Sequence, residues 1–280
     1  MPDPPAHAKP MRVNALVARS GHGVEVELHP GSSVILKEEP GTLIWRERLA
    51  DGTEAVIKLY RRGLLSWVRC RLSTFRTWNE FRALRQIEAL GERCTLPLFW
   101  GHGHFGRYGW GEMLATHWLH DARSLSDVLA ADPVIGREID LAPLWSIAAR
   151  LHDAGLHHGT LLARNVLVRN ATHAPQFFLL DLPRFHRFPY GIRGTRMARY
   201  DLLFLTHSLL RALPGDDLPR WLSAYGMSDA QQRRFAADVR RFRNSSLLRR
   251  MTGLEFNVRY LVARARLAVR SAWCPRRHDR

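Results

Sequence analysis

The chain is short of acid, of lysine and of cysteine. Its 280 residues hold 26 Asp+Glu against 42 Lys+Arg, a formal charge of +16 with a pI of about 11.0. Lysine occurs only at Lys9, Lys37 and Lys58. All other cations are arginine, a bias that a G+C-rich genome also produces, so each lysine invites a question about its role. The three cysteines, Cys70, Cys94 and Cys274, are far apart and form no Cys-x-x-Cys or Cys/His cluster. That excludes a disulfide scaffold and a zinc site and fits a reducing compartment. No apolar run approaches the ~18 residues of a membrane span. The opening MPDPPAHAKP lacks the apolar core of a secretory signal, so a cytoplasmic location is expected. With 46% apolar and 24% charged residues, global disorder and collagen are excluded and a full core is within reach. The cationic surplus calls for an anionic partner: nucleic acid, a phosphorylated ligand or an acidic membrane face. Nucleic acid ranks last, because no zinc finger, RNP-type aromatic pattern or helix-turn-helix accompanies the charge.

What is present divides along the chain. Four prolines in the first ten residues predict a loose tail. Val34–Lys37, Leu43–Arg46 and Ala55–Tyr60 are β-type runs separated by the turn signals Pro40-Gly41 and Asp51-Gly52. They predict an antiparallel meander. A helix follows, with Ser73 or Thr74 as its cap and Gly91 as its stop; Glu80, Leu84 and Ile87 put a carboxylate on its apolar stripe. Phe99 and Met113–Thr116 predict further strands, Ser124–Ala130 a helix, and Leu144, Ile147 and Leu151 another that Gly155 stops. Beyond about residue 200 the chain reads helical. Strands first and helices later predict an α+β protein of two lobes. The last 50 residues hold 14 Arg and three acids. Phe235, Val239 and Phe242 keep helical spacing there, so a basic amphipathic region is expected, able to touch an anionic membrane peripherally with shallow apolar insertion.

The densest chemistry lies in Leu156–Val168 and Phe177–Pro183. A helix leads into a polar loop, and two short apolar strands flank residues 170–176. The second strand ends on Asp181, the first begins after Asn165. An amide oxygen and a carboxylate at neighbouring strand ends can share a divalent ion, and hard oxygen ligands suit Mg²⁺.

These pieces resemble the protein-kinase-like superfamily, and within it the bacterial lipopolysaccharide core kinases that phosphorylate heptose or Kdo. The resemblance spans roughly residues 33–210. Ala55-Val56-Ile57-Lys58 is similar to the Val-Ala-Ile-Lys strand, which implies that Lys58 meets the α- and β-phosphates of ATP. Glu80 resembles the helix glutamate that pairs with that lysine. His158-Gly159-Thr160 with Asn165 resembles the catalytic loop, and Asp181-Leu182-Pro183 the Asp-Phe-Gly turn. Asp201 resembles the buried aspartate that braces the loop, with His158 a structural residue beneath it. Met113–His117 resembles the hinge, which implies backbone contacts to adenine at Ala115 and His117. Asn165 and Asp181 are the implied metal ligands.

The resemblance implies a two-lobed kinase-like fold: an N-terminal extension (1–32), an N-lobe with a small antiparallel sheet and one helix (33–119), and a mainly helical C-lobe (120–280). It implies ATP and Mg²⁺ as cofactors. A phosphorylated or acidic core sugar is the implied acceptor, with Arg184, Arg187, Arg193 and Arg196 as candidate substrate contacts. The departures bear on activity. Thr160 stands where the catalytic-loop aspartate accepts a proton, and a threonine hydroxyl is no base near pH 7. Leu182-Pro183 replaces Phe-Gly, and Glu38–Thr42 holds one glycine where a glycine-rich loop would lie. Each residue also has a plain alternative: Lys58 a surface strand lysine, Glu80 a helix-rim acid, Asn165 a turn residue, Asp181 a strand cap, the arginines a solvated face. Two functions follow, an ATP-dependent sugar kinase at the inner face of the inner membrane, or a nucleotide-binding pseudokinase that regulates or scaffolds envelope biosynthesis.

Overall fold

The computed structural model describes residues 11–17, 23–28, 34–61, 76–105, 109–131, 138–171, 174–213 and 217–245. In chain order the strands are β1 (Met11–Val17), β2 (Gly23–Leu28), β3 (Val34–Glu39), β4 (Thr42–Arg48), β5 (Glu54–Arg61), β6 (Pro97–His104), β7 (Trp110–His117), β8 (Arg123–Ser124), β9 (Leu156–His157), β10 (Val166–Arg169), β11 (Gln176–Leu179) and β12 (His186–Arg187). The described α-helices are α1 (Arg76–Ala89), α2 (Leu125–Ala131), α3 (Ala142–Asp153), α4 (Arg196–Leu209), α5 (Leu218–Tyr225) and α6 (Asp229–Asn244). Two compact units result: Met1–Val128 with Arg164–Phe185, and Leu129–Ala163 with His186–Arg280.

The first unit is built on a seven-stranded antiparallel sheet in the order β2-β1-β6-β7-β5-β4-β3. The meander β3-β4-β5 closes through the two expected turns, where Gly41 and Gly52 take φ of 84° and 82°. In β4, Leu43 and Trp45 alternate with half-buried neighbours; in β5, where Ile57 to Tyr60 are all buried, Ala55, Ile57 and Leu59 keep the same alternation. These residues pack with Phe99, Phe105, Met113 and Ala115 as one apolar face. Period two then puts Lys58 and Tyr60 together on the other face, the side on which α1 packs against β6 and β7. The candidate caps of this helix, Ser73 and Thr74, lie outside the described residues.

Residues 1–32 were expected as an extension ahead of the sheet; their described part supplies β1 and β2, and β1 pairs with β6 through Ala15↔Gly101 to Val17↔Phe99. The signal was the strict alternation Val24-Glu25-Val26-Glu27-Leu28. Residues 164–185 also belong to this unit, although they follow α3 and β9 of the other one. Thr95 N donates to Leu179 O at 3.1 Å and Leu179 N to Arg93 O at 3.1 Å, tying β11 to the segment after α1.

The second unit is mainly helical. Trp145 of α3 stacks on Trp221 of α5 at 6.1 Å. A capping box of Ser228 and Gln231 starts α6. Phe235, Val239 and Phe242 are buried, with Phe242 edge-on to Phe204 at 5.6 Å and to His207 at 5.4 Å. This corrects the expectation of apolar insertion for residues 229–244, because core packing already uses the stripe. Exposed Arg233, Arg234, Arg240, Arg241 and Arg243 cover the other side of α6. The rest of the Arg-rich region, residues 246–280, lies outside the described residues.

Gly155 stops α3 in a left-handed turn at φ 74°. A Cβ there would come within 2.6 Å of both Phe188 O and Tyr190 O. Gly155→Ala should therefore cost roughly 2–3 kcal/mol in urea unfolding, from strained backbone plus two clashes. Gly52→Ala, with a similar φ and nothing within 4 Å, should cost about 1 kcal/mol.

Candidate active site

Three expected residues converge in the first unit. Lys58 Nζ donates to Glu80 Oε1 at 2.8 Å and lies 3.5 Å from Asp181 Oδ1. They come from β5, from the middle of α1 and from the turn after β11. Lys58 and Glu80 are buried, so each charge depends on the other. Burial alone would lower the Lys58 amine, but the carboxylates of Glu80 and Asp181 outweigh it and hold it above its ordinary value. The ammonium is thus a permanent cation across the physiological range. Burial likewise pushes the Glu80 carboxyl up, opposed by the Lys58 charge. Glu80 Oε2 is buried without a hydrogen bond.

Asp181 sits in the left-handed region at φ 57°. A non-glycine residue pays about 1 kcal/mol for that, and such strain collects at functional sites. The strand pairing explains how it meets Asn165. Val166 pairs with Leu179 at the end of the β10–β11 ladder, and Leu180 N donates to Asn165 O at 3.2 Å. Asn165, buried and closing a single 3₁₀ turn, and Asp181 therefore lie at neighbouring strand ends.

The second unit holds the other expected group. Asp201 of α4 is buried and its Oδ2 accepts from His158 N at 2.8 Å, its Oδ1 from Gly159 N at 2.9 Å. His152 Nε2 is 3.3 Å and His157 Nε2 3.5 Å away. Burial would raise the Asp201 carboxyl; the imidazoles of His157, His152 and His158, and the hydrogen bond from His152, pull it well below the usual carboxylate range. Burial holds His157 below its ordinary value. Asp201 thus clamps the backbone of the loop that carries Thr160, whose N donates to His158 Nδ1 at 3.4 Å.

Other expected residues are placed elsewhere. Ala115 lies inside β7, opposite Ile57 of β5 and Phe99 of β6. His117 ends that strand, and its N donates to Leu96 O at 2.8 Å. Arg193 pairs with Asp153 and lies over the Tyr225 ring at 5.4 Å. Arg184, Arg187 and Arg196 are exposed. Among the described residues no three His, Cys, Asp or Glu side chains gather as a metal cage.

Three residues beside Lys58 escaped the sequence reading. Glu112 of β7 is fully buried and accepts from Thr77 N and Thr77 Oγ1, both at 2.8 Å. With no acid in its own first turn, α1 has its N-terminus held by this carboxylate from the sheet. An acid directly heading the apolar run Met113-Leu114-Ala115 was the available signal, since a buried carboxylate needs partners. Tyr60, two residues from Lys58, is buried, and burial pushes its phenol up to about 12. Arg76, the first residue of α1, lies over the Tyr60 ring at 4.4 Å and 3.9 Å from Asp181 Oδ1.

The description "Lipopolysaccharide kinase (Kdo/WaaP) family" matches residues 41–225. That is more than half of the chain, and the chain belongs to this family. Among solved structures, WaaP in complex with acyl carrier protein aligns with a TM-score of 0.57 at 17% identity, covering 78% of this chain and 88% of that one. The fold is accordingly kinase-like, a sheet unit and a helical unit. No curated protein matches the chain. Family membership makes it a kinase-class protein of lipopolysaccharide biosynthesis.

The Asp201 network sets an acid limit on stability. A carboxylate whose folded pKa is depressed stabilises above its unfolded value near 4 and loses that contribution as pH falls through the folded value. His157, also depressed, adds stability above about pH 6.5 that erodes below it. Wild type should weaken in two stages on acidification, below about pH 6.5 and again below about pH 4. Asp201→Asn should cost roughly 2–4 kcal/mol at pH 7, and the gap to wild type should begin to narrow as pH falls below about 4. Urea unfolding from pH 3 to 8 checks both.

Proposed function

We propose that the protein transfers the terminal phosphoryl group of ATP to a hydroxyl of a lipopolysaccharide core sugar, heptose or Kdo. The observation that carries this reading is the Lys58–Glu80–Asp181 cluster, with Asn165 at the adjoining strand end. Phosphoryl transfer asks little covalent chemistry of a protein and much positioning and charge. A buried lysine held charged by two carboxylates supplies a fixed cation for phosphate oxygens. Asn165 and Asp181 fit Mg²⁺ through hard oxygen donors, and Mg²⁺ takes only one or two protein carboxylates beside phosphates and water. When bound, the metal would neutralise charge on the phosphates. Glu80 orients Lys58. Asp201 holds the backbone of the loop that carries Thr160, whose hydroxyl is proposed to orient the acceptor.

Thr160 favours a second reading, the nucleotide-binding pseudokinase, because the loop lacks a carboxylate base. General-base help is typically worth ~10²–10⁴-fold, so its absence slows transfer without removing the contributions of charge and alignment. Location at the inner face of the inner membrane is part of the proposal and is supported by the cationic surplus and the exposed arginine face of α6.

Millimolar ATP with Mg²⁺ should raise the melting temperature of wild type by several degrees and leave Asp181→Ala nearly unmoved. No shift in wild type contradicts both readings. Thr160→Asp should speed transfer to isolated core lipopolysaccharide if the wild type is a slow kinase. Silence of both proteins despite nucleotide binding selects the pseudokinase.

A further inference from the structure

Asp181 Oδ1 faces two cations, not one. Lys58 Nζ is 3.5 Å from it and the Arg76 guanidinium 3.9 Å. The two differ in kind. Lys58 is buried and locked on Glu80 at 2.8 Å, so its position is set by a partner that cannot leave without stranding a charge. Arg76 is 40% exposed and has a loose, monodentate contact with Asp181. At 3.9 Å this is an electrostatic neighbour, too long for a hydrogen bond.

The guanidinium is nonetheless placed. It lies over the Tyr60 ring at 4.4 Å, and that ring is itself buried beside Lys58. Stacking on an aromatic face restrains an arginine while leaving its edge donors available. The backbone beneath it is fixed too. Thr77, the next residue, is held by Glu112 through both its N and its Oγ1 at 2.8 Å, and Trp100 Nε1 donates to Thr77 Oγ1 at 2.5 Å. A side chain mounted on an anchored helix terminus, stacked on a buried ring and aimed at the oxygen expected to ligate metal is a prepared anion contact.

We infer that Arg76 is a second phosphate-binding cation of this site, which turns from Asp181 to a phosphate oxygen of the bound nucleotide. The inference rests on the nucleotide-binding reading above. Metal on Asp181 would draw away the carboxylate charge that now holds Arg76, while the phosphates offer a planar fork its natural bidentate partner. Lys58 stays with Glu80, so the two cations divide the work: a fixed point charge and a mobile fork. Arg76 then acts on binding and alignment rather than on proton transfer.

The test is calorimetric titration of wild type, Arg76→Gln, Arg76→Lys and Lys58→Met with ATP–Mg²⁺, with ATP in EDTA, with adenosine, and with glucose 6-phosphate as a plain sugar phosphate. Arg76→Gln should bind ATP–Mg²⁺ roughly tenfold more weakly, with adenosine unchanged. Arg76→Lys should fall between, keeping charge but losing the fork. Glucose 6-phosphate binding that depends on Arg76, beside unchanged ATP affinity, assigns the residue to the acceptor and overturns the nucleotide assignment. Equal or tighter ATP binding by Arg76→Gln also overturns it, the second meaning that Arg76 only shields Asp181. If wild type binds no ATP, the nucleotide reading itself fails and the inference with it. Circular dichroism and the melting temperature of Arg76→Gln separate lost binding from lost fold, since Arg76 contributes little to the core.

Discussion

The site depends on one buried ammonium. Lys58 is out of water on the inner face of β5, and nothing but carboxylate can hold its charge there. That requirement reaches outward. Glu80 must come within hydrogen-bonding range, so α1 must keep its register against β6 and β7. The register is kept by Glu112 gripping Thr77 at the start of the helix. Asp181 must stand at the end of β11, which the ladder with β10 and the Arg93–Thr95 hydrogen bonds supply. A change in any one of these would leave a charge buried and uncompensated, a loss of about 3–5 kcal/mol in comparable pairs. The same demand brings residues 164–185 into the first unit, although the intervening chain belongs to the second.

The second unit answers a separate demand with the opposite sign. There the buried charge is the carboxylate of Asp201, surrounded by backbone N–H groups and imidazoles. It stiffens the turn at His158 and Gly159 without reaching any reacting group itself. Thr160 follows that turn, at the position where the resemblance led to the expectation of an aspartate.

Much of this was legible before any coordinates. Lysine scarcity drew attention to Lys58, a carboxylate on an apolar stripe to Glu80, and an aspartate closing an apolar run to Asp181. Each is an anomaly against a local pattern, and local patterns are what one sequence displays. The meander turns and the stop at Gly155 were visible for the same reason. What escaped was non-local. That Glu112 serves Thr77, or that Tyr60 carries Arg76, depends on pairings 35 and 16 residues apart that periodicity does not encode. The strands within residues 11–28 were not expected although their alternation was present; the four prolines marked only the first ten residues as a tail. The apolar stripe of α6 was seen correctly but its partner was not, and a buried stripe and a membrane-facing one share the same spacing.

The central claim is that Lys58 and Glu80 work as one unit in a phosphate-handling site. A double-mutant cycle on labelled phosphate transfer from ATP to core lipopolysaccharide tests it most directly, using Lys58→Met, Glu80→Gln and the combination. The account predicts measurable transfer by wild type, a loss on the order of a hundredfold in either single variant, and a double variant no worse than Lys58→Met, as residues acting together are non-additive. Full additivity of the two losses, or transfer indifferent to Lys58, would contradict it.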